Sequence, residues 1–301
     1  MKQPTGRRSR KRRAVTGIAV TSAALLTLGA STTSTATAAG DGPNYVALGD
    51  SYASGAGLAG VKDKACDRTT GSYASLVARS QAVAGLNRAF KDVTCSGATT
   101  RSIWNHQGDA PPQANALTPH TKLVTLTLGG NDVGFVNVLT TCATVASSDR
   151  NGSPCKGYFT AGGKDVLGER INTMEGRIRG VLADVRRRSP DAKVVVVGYP
   201  AVFPDNGVGC AEVPFAKGDF AFLRDTTKKL NRALQRQAAA GGAGMSFADT
   251  YSATVGHDMC RPRDRRWIES LTPAANTLSA HPNSTGQLVM AFAALDRIFK
   301  P

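Results

Sequence analysis

Three short runs, Tyr45–Leu48, Leu123–Leu128 and Val194–Val197, are so uniformly apolar or β-branched that neither face of an extended strand there could stand in water. Two weaker runs, Ala89–Thr94 and Gly244–Phe247, share this character. Between them lie stretches with helical spacing. Val166–Arg188 sets Ile171, Met174, Ile178, Val181, Leu182 and Val185 three and four residues apart, and Asp219–Ala240 does the same with Phe220, Leu223, Leu230 and Leu234. Ser72–Ser80 places Tyr73, Leu76 and Val77 on one face. Ser284-Thr285-Gly286-Gln287 has the form of a capping box opening a last helix to about Phe299. Strands alternating with helices predict an α/β fold: a parallel sheet covered on both faces, with any site at the carboxyl ends of its strands.

The first 39 residues read differently. Seven Lys or Arg and no acid stand between residues 2 and 13, an apolar run follows to Ala30, and Ala36-Thr37-Ala38-Ala39 supplies a small-residue cleavage pattern. This is the form of a secretory signal peptide, removed to leave one domain over residues 40–301; the route of export stays open. The rest carries 30 basic and 22 acidic residues, a net +8. No basic stripe with interleaved aromatics marks a nucleic-acid surface. The runs Arg186–Arg188 and Arg265-Arg266 read as solvated faces. All six cysteines fall after residue 39, and an exported chain with an even count forms disulfides. Fifteen pairings are available and the sequence does not choose among them; the expectation is the sequential set Cys66–Cys95, Cys142–Cys155 and Cys210–Cys260. No C-x-x-C or His-x-x-x-His spacing supports a metal, and no cofactor is expected.

Four short segments carry chemistry. Gly49-Asp50-Ser51-Tyr52 directly follows the first strand, which puts the Ser51 hydroxyl at the strand's carboxyl end with its own N–H free to meet an oxyanion. Cys95-Ser96-Gly97-Ala98 follows the second strand, and its glycine lets a backbone N–H approach a ligand. Gly129-Gly130-Asn131-Asp132 follows the third, where Asn131 can offer a neutral amide donor. Ser279-Ala280-His281-Pro282 precedes the last helix; Pro282 biases His281 towards an extended conformation in a loop suited to a general base. His106, His120 and His257 have no comparable setting.

In order and in position at element ends, Ser51, Gly97, Asn131 and His281 resemble the four blocks of the SGNH (GDSL-type) hydrolases over the whole of residues 40–301. Within that family the disulfide-bearing secreted lipases and esterases of actinobacteria look most similar. The resemblance implies a flavodoxin-like α/β/α sandwich and a secreted serine ester hydrolase. Ser51 is its expected nucleophile, His281 its base, and Ser51, Gly97 and Asn131 its oxyanion hole. Small-molecule or lipid esters are the expected substrates, with transient contact with lipid surfaces and a monomeric state. A carbohydrate O-acetyl esterase is the alternative enzyme, and an exported binding protein the alternative from another class.

The sequence departs from the family where an Asp usually stands three residues before the histidine: here it is Leu278. A main-chain carbonyl near Leu278 or Ser279 is expected to hold the imidazole instead, with Asp249 and Asp258 as the acids to test. Ala53, Ala56, Leu58 and Phe135 are candidates to line an acyl pocket.

Overall fold

The structure, a computed structural model, describes residues 42–80, 89–271 and 277–300. The leader expected over residues 1–39 lies outside them.

Every residue of β1 (Tyr45–Gly49) is buried, and successive side chains on a strand point to opposite faces, so the sheet is covered on both sides. The chain runs from β1 into a four-residue helix α1 (Ser51–Ser54), then a small antiparallel hairpin of β2 (Val61–Asp63) and β3 (Arg68–Thr69), helix α2 (Tyr73–Arg79) and edge strand β4 (Phe90–Asp92). The central strand β5 (Leu123–Thr127) follows, then α3 (Gly130–Val133), α4 (Phe135–Val145), α5 (Pro154–Phe159) and the long α6 (Val166–Arg188). Strand β6 (Lys193–Val197), helix α7 (Asp219–Ala240), β7 (Met245–Ala248), α8 (Thr250–Thr254) and α9 (Ser284–Phe299) complete the order.

The five-stranded sheet has the order β4-β1-β5-β6-β7 and is parallel throughout. From β1 the chain goes outwards to β4 on one side, then returns to β5 on the other. This reversal opens a crevice at the carboxyl ends of β1 and β5, the place where such sheets bind ligands. Helices α2 and α9 pack together, as do α6 and α7.

Helix α9 corrects one sequence expectation. Its cap is Asn283, whose side chain accepts from the N–H groups of Thr285 and Gly286, so Ser284 already lies inside the helix and no capping box with Gln287 forms. Gln287 is used elsewhere: its Oε1 accepts from the Tyr73 N–H at 2.7 Å and its Nε2 donates to the Tyr52 carbonyl at 3.0 Å. It thereby ties the last helix to the segments after β1. Disulfides join Cys66 to Cys95, Cys142 to Cys155 and Cys210 to Cys260.

Candidate active site

The end of β1 is fixed before the serine is reached. Gly49 has φ +142°, and a Cβ on it would lie 2.4 Å from the Thr127 carbonyl oxygen, so only glycine fits where β1 runs against β5. The buried Gln113 side chain brackets its backbone, accepting from its N–H at 2.8 Å and donating to its carbonyl at 2.9 Å. Asp50 then caps α1: Oδ1 accepts from the Tyr52 N–H at 3.0 Å and Oδ2 from the Tyr199 hydroxyl at 2.5 Å. The same hydroxyl accepts from the Gly130 N–H at 2.7 Å. Asp50 and Tyr199 therefore lock together the exits of β1, β5 and β6. Burial without a cation pushes the Asp50 carboxyl up to about 7.

Ser51, the first residue of α1, is buried, and His281 reaches it from the loop before α9 with Nε2 2.8 Å from Oγ. The other ring nitrogen, Nδ1, lies 2.9 Å from the Ser279 carbonyl. A carbonyl only accepts, so Nδ1 carries the hydrogen and the Nε2 lone pair faces the serine hydroxyl. A main-chain carbonyl stands where the family usually has a carboxylate. The two acids named for that role are engaged elsewhere: Asp249 caps α8, and Asp258 accepts from the Cys260 N–H and faces Arg261. Burial lowers the His281 pKa from its ordinary value; the Ser279 carbonyl and the charge of Asp67 oppose that shift.

Asn131 is the second residue of α3, just past the exit of β5. Its Nδ2 donates one hydrogen to the Ala98 carbonyl at 2.9 Å, which orients the amide and leaves a second hydrogen on the same nitrogen. Next to it, the buried Asp132 carboxylate accepts from the Thr100 N–H at 2.9 Å and from the Thr100 hydroxyl, with Arg177 at 3.3 Å. These two residues bind the exit of β5 to the loop that holds Gly97. Gly97 has φ +81°, and a Cβ there would meet only Gln107 Nε2 at 3.5 Å, so backbone conformation rather than space calls for glycine.

Ser51, Asn131 and His281 line one pocket that encloses about 670 Å³ with its open mouth included. Gly97 is not part of its wall; it stands one residue from the Ala98 carbonyl that holds Asn131. Away from the polar end the wall is apolar, with Val133, Phe135, Val202, Phe203, Leu223 and Leu230. Thr226 and Thr227 also face it, but their hydroxyls donate to the Phe222 and Leu223 carbonyls, so they add no free polar group. Of the four residues put forward for an acyl pocket, only Phe135 lines this cavity. Ala53, within α1, and Ala56 and Leu58, just after it, are buried without lining it. Among the described residues no cluster of three His, Cys, Asp or Glu could hold a metal ion.

The arrangement can pass a proton from a hydroxyl to a neutral imidazole beside amide donors, at the mouth of an apolar cavity. Comparison with known proteins agrees with that chemistry. Lipase 2 of Streptomyces coelicolor is 36% identical over 260 residues, covering 84% of this chain and 85% of that protein. The crystal structure of phospholipase A1 from Streptomyces albidoflavus NA297 matches with a TM-score of 0.68 at 31% identity, covering 85% of this chain and 98% of that one. An extracellular lipase from Streptomyces rimosus matches with a TM-score of 0.64 at 29% identity, covering 84% and 98%. Residues 47–289, which include Ser51, Gly97, Asn131 and His281, match the GDSL-like Lipase/Acylhydrolase family; the chain belongs to that family and is a carboxylic ester hydrolase.

Proposed function

We propose that the chain is a secreted lipase or esterase that cleaves esters of apolar acyl groups through an acyl-enzyme on Ser51. The observation that carries this reading is the 2.8 Å contact between His281 Nε2 and Ser51 Oγ at the polar end of an apolar cavity.

In the first half-reaction the Ser51 hydroxyl gives its proton to His281 Nε2 as Oγ bonds to the ester carbonyl carbon. The carbonyl oxygen becomes an oxyanion, received by the N–H groups of Ser51 and Gly97 and the second hydrogen of Asn131 Nδ2. His281 then protonates the leaving alcohol as the ester C–O bond breaks. Water repeats the sequence on the acyl-enzyme: its proton goes to His281 as its oxygen bonds to the acyl carbon, and the acyl C–Oγ bond then breaks as that proton passes to Ser51 Oγ, releasing the acid. The imidazolium is stabilised by a neutral carbonyl on Nδ1, so the enzyme works as a Ser–His dyad. The acyl chain lies along the wall formed by Phe135, Phe203, Leu223 and Leu230. Relatives named as a lipase and as a phospholipase A1 make glycerides and phospholipids the first lipid esters to test. Residues 1–39 serve as the export signal, and three disulfides suit an oxidising, extracellular setting.

The test is hydrolysis of p-nitrophenyl acetate, butyrate, decanoate and palmitate by the protein with and without Ser51→Ala. The expected result is turnover that prefers butyrate or longer chains and vanishes in the variant. Turnover restricted to acetyl esters, with activity on acetylated xylan, would replace this reading by the carbohydrate esterase; turnover surviving Ser51→Ala would remove the nucleophile.

A further inference from the structure

The dyad has a weakness that the fold must correct. His281 is oriented through Nδ1 by the Ser279 carbonyl, which is neutral and belongs to the same loop. The imidazole is therefore only as well placed as that loop. Ala280, between acceptor and histidine, has φ +60°, a left-handed conformation that alanine seldom adopts. Something outside the loop has to hold it there.

We propose that Tyr52, the residue after the nucleophile, is a positioning residue that holds the Ser279–His281 loop in register through its phenol. Its hydroxyl donates to the Ala280 carbonyl at 2.5 Å, across 228 residues of chain. Its ring lies 4.7 Å from the imidazole, centroid to centroid, and meets Tyr199 edge-on at 5.1 Å. Tyr52 is itself held at both backbone groups, by Asp50 at the N–H and by Gln287 at the carbonyl. On its other side the loop is paired with the strand-like segment at Glu269, which accepts from the Ala280 N–H at 3.0 Å and donates to the His281 carbonyl at 2.9 Å. The two backbone bonds to Glu269 fix the loop along one edge; among the described residues, the phenol alone meets the carbonyl of its strained residue. Because Tyr52 is covalently next to Ser51, the nucleophile and the carrier of its base share one rigid reference.

The inference rests on the Ser51–His281 reading, so the experiment carries controls for both. Tyr52→Phe removes one oxygen from a buried side chain without changing its shape, and a thermal melt confirms folding above the assay temperature. With p-nitrophenyl butyrate, kcat per active site, counted by fluorophosphonate titration, is expected to fall about tenfold while KM stays within about twofold. A purely structural role would reduce the number of titratable sites and leave kcat per site unchanged, and that outcome overturns the proposal. Ala280→Gly supplies the second variant, since glycine adopts φ +60° without strain. Combined with Tyr52→Phe it is expected to recover part of the lost kcat, whereas strictly additive losses would refute the coupling. Ser51→Ala and His281→Ala run alongside: both inactive with Tyr52→Phe at wild-type kcat sinks the positioning role alone, and activity in either alanine variant sinks the dyad beneath it.

Discussion

Replacing Asn131 by Ala removes two hydrogen bonds with different consequences, and the two can be measured separately. One Nδ2 hydrogen is already donated to the Ala98 carbonyl at 2.9 Å, and Ala98 is fully buried, so the substitution strands a buried acceptor. That loss is worth about 1–3 kcal/mol of stability. In a domain of this size it lowers the melting temperature by roughly 2–4 °C per kcal/mol. The other hydrogen is the one assigned to the oxyanion. It acts beside the N–H of Ser51, and one amide donor in such a hole is worth about 10²–10³ in kcat. The expected variant is therefore modestly less stable and turns over about a hundredfold or more slowly, with a KM near that of the parent. The assay is steady-state hydrolysis of p-nitrophenyl butyrate, paired with a thermal melt of the same preparation. Asn131→Asp should be at least as slow, because it places a negative charge where negative charge develops. A drop in melting temperature with turnover within about threefold of the parent would show that Asn131 is a tether for Ala98 and nothing more, and would refute the oxyanion assignment.

Two further outcomes are expected. As the proposed base His281 must be neutral, and burial lowers its pKa, so the acid limb of kcat/KM should have its midpoint below the ordinary histidine value of about 6.5. Asp67→Asn removes a charge that raises that pKa and should move the midpoint lower still; a midpoint above about 6.5 contradicts the burial argument. Removing either the Cys142–Cys155 or the Cys66–Cys95 disulfide by paired serine substitution should cost about 2–5 kcal/mol in denaturant unfolding. Only the second should also lower kcat, because Cys95 lies two residues before Gly97 and the Cys66 carbonyl accepts from the Ser96 N–H at 2.9 Å. Equal kcat in both disulfide variants would dissociate the Gly97 loop from catalysis.

Strands β1, β5 and β6 were legible because burial on both faces demands an unbroken apolar run, and such runs are hard to mistake. Strand β4 was faint for the opposite reason: it is three residues long at the sheet edge, with Lys91 exposed. Helix α4 has no helical signature in the sequence because Val136, Val138, Thr140, Thr141 and Thr144 are β-branched, and such residues favour strands over helices. Its helix is held by packing and by the Cys142–Cys155 bond rather than by intrinsic preference. The residues proposed for chemistry could be named from their places at strand ends. Tyr52, Gln113 and Tyr199, which hold those places, could not, since each acts on a partner at least 64 residues away and leaves no local pattern. The acyl-pocket expectation went astray in the same manner. Leu223 and Leu230 fit the buried stripe of an amphipathic helix, and nothing in the spacing says that part of that stripe faces a cavity instead of the core.

The partners in the 2.8 Å contact, Ser51 and His281, are 230 residues apart in sequence. The serine therefore leaves the ribosome 230 residues ahead of its partner. Until the loop before α9 has docked, Ser51 lacks the acceptor proposed for its proton. A chain that has not yet folded through α9 is, on that reading, inert towards esters. On the same reading, activity begins only once these two distant segments have met.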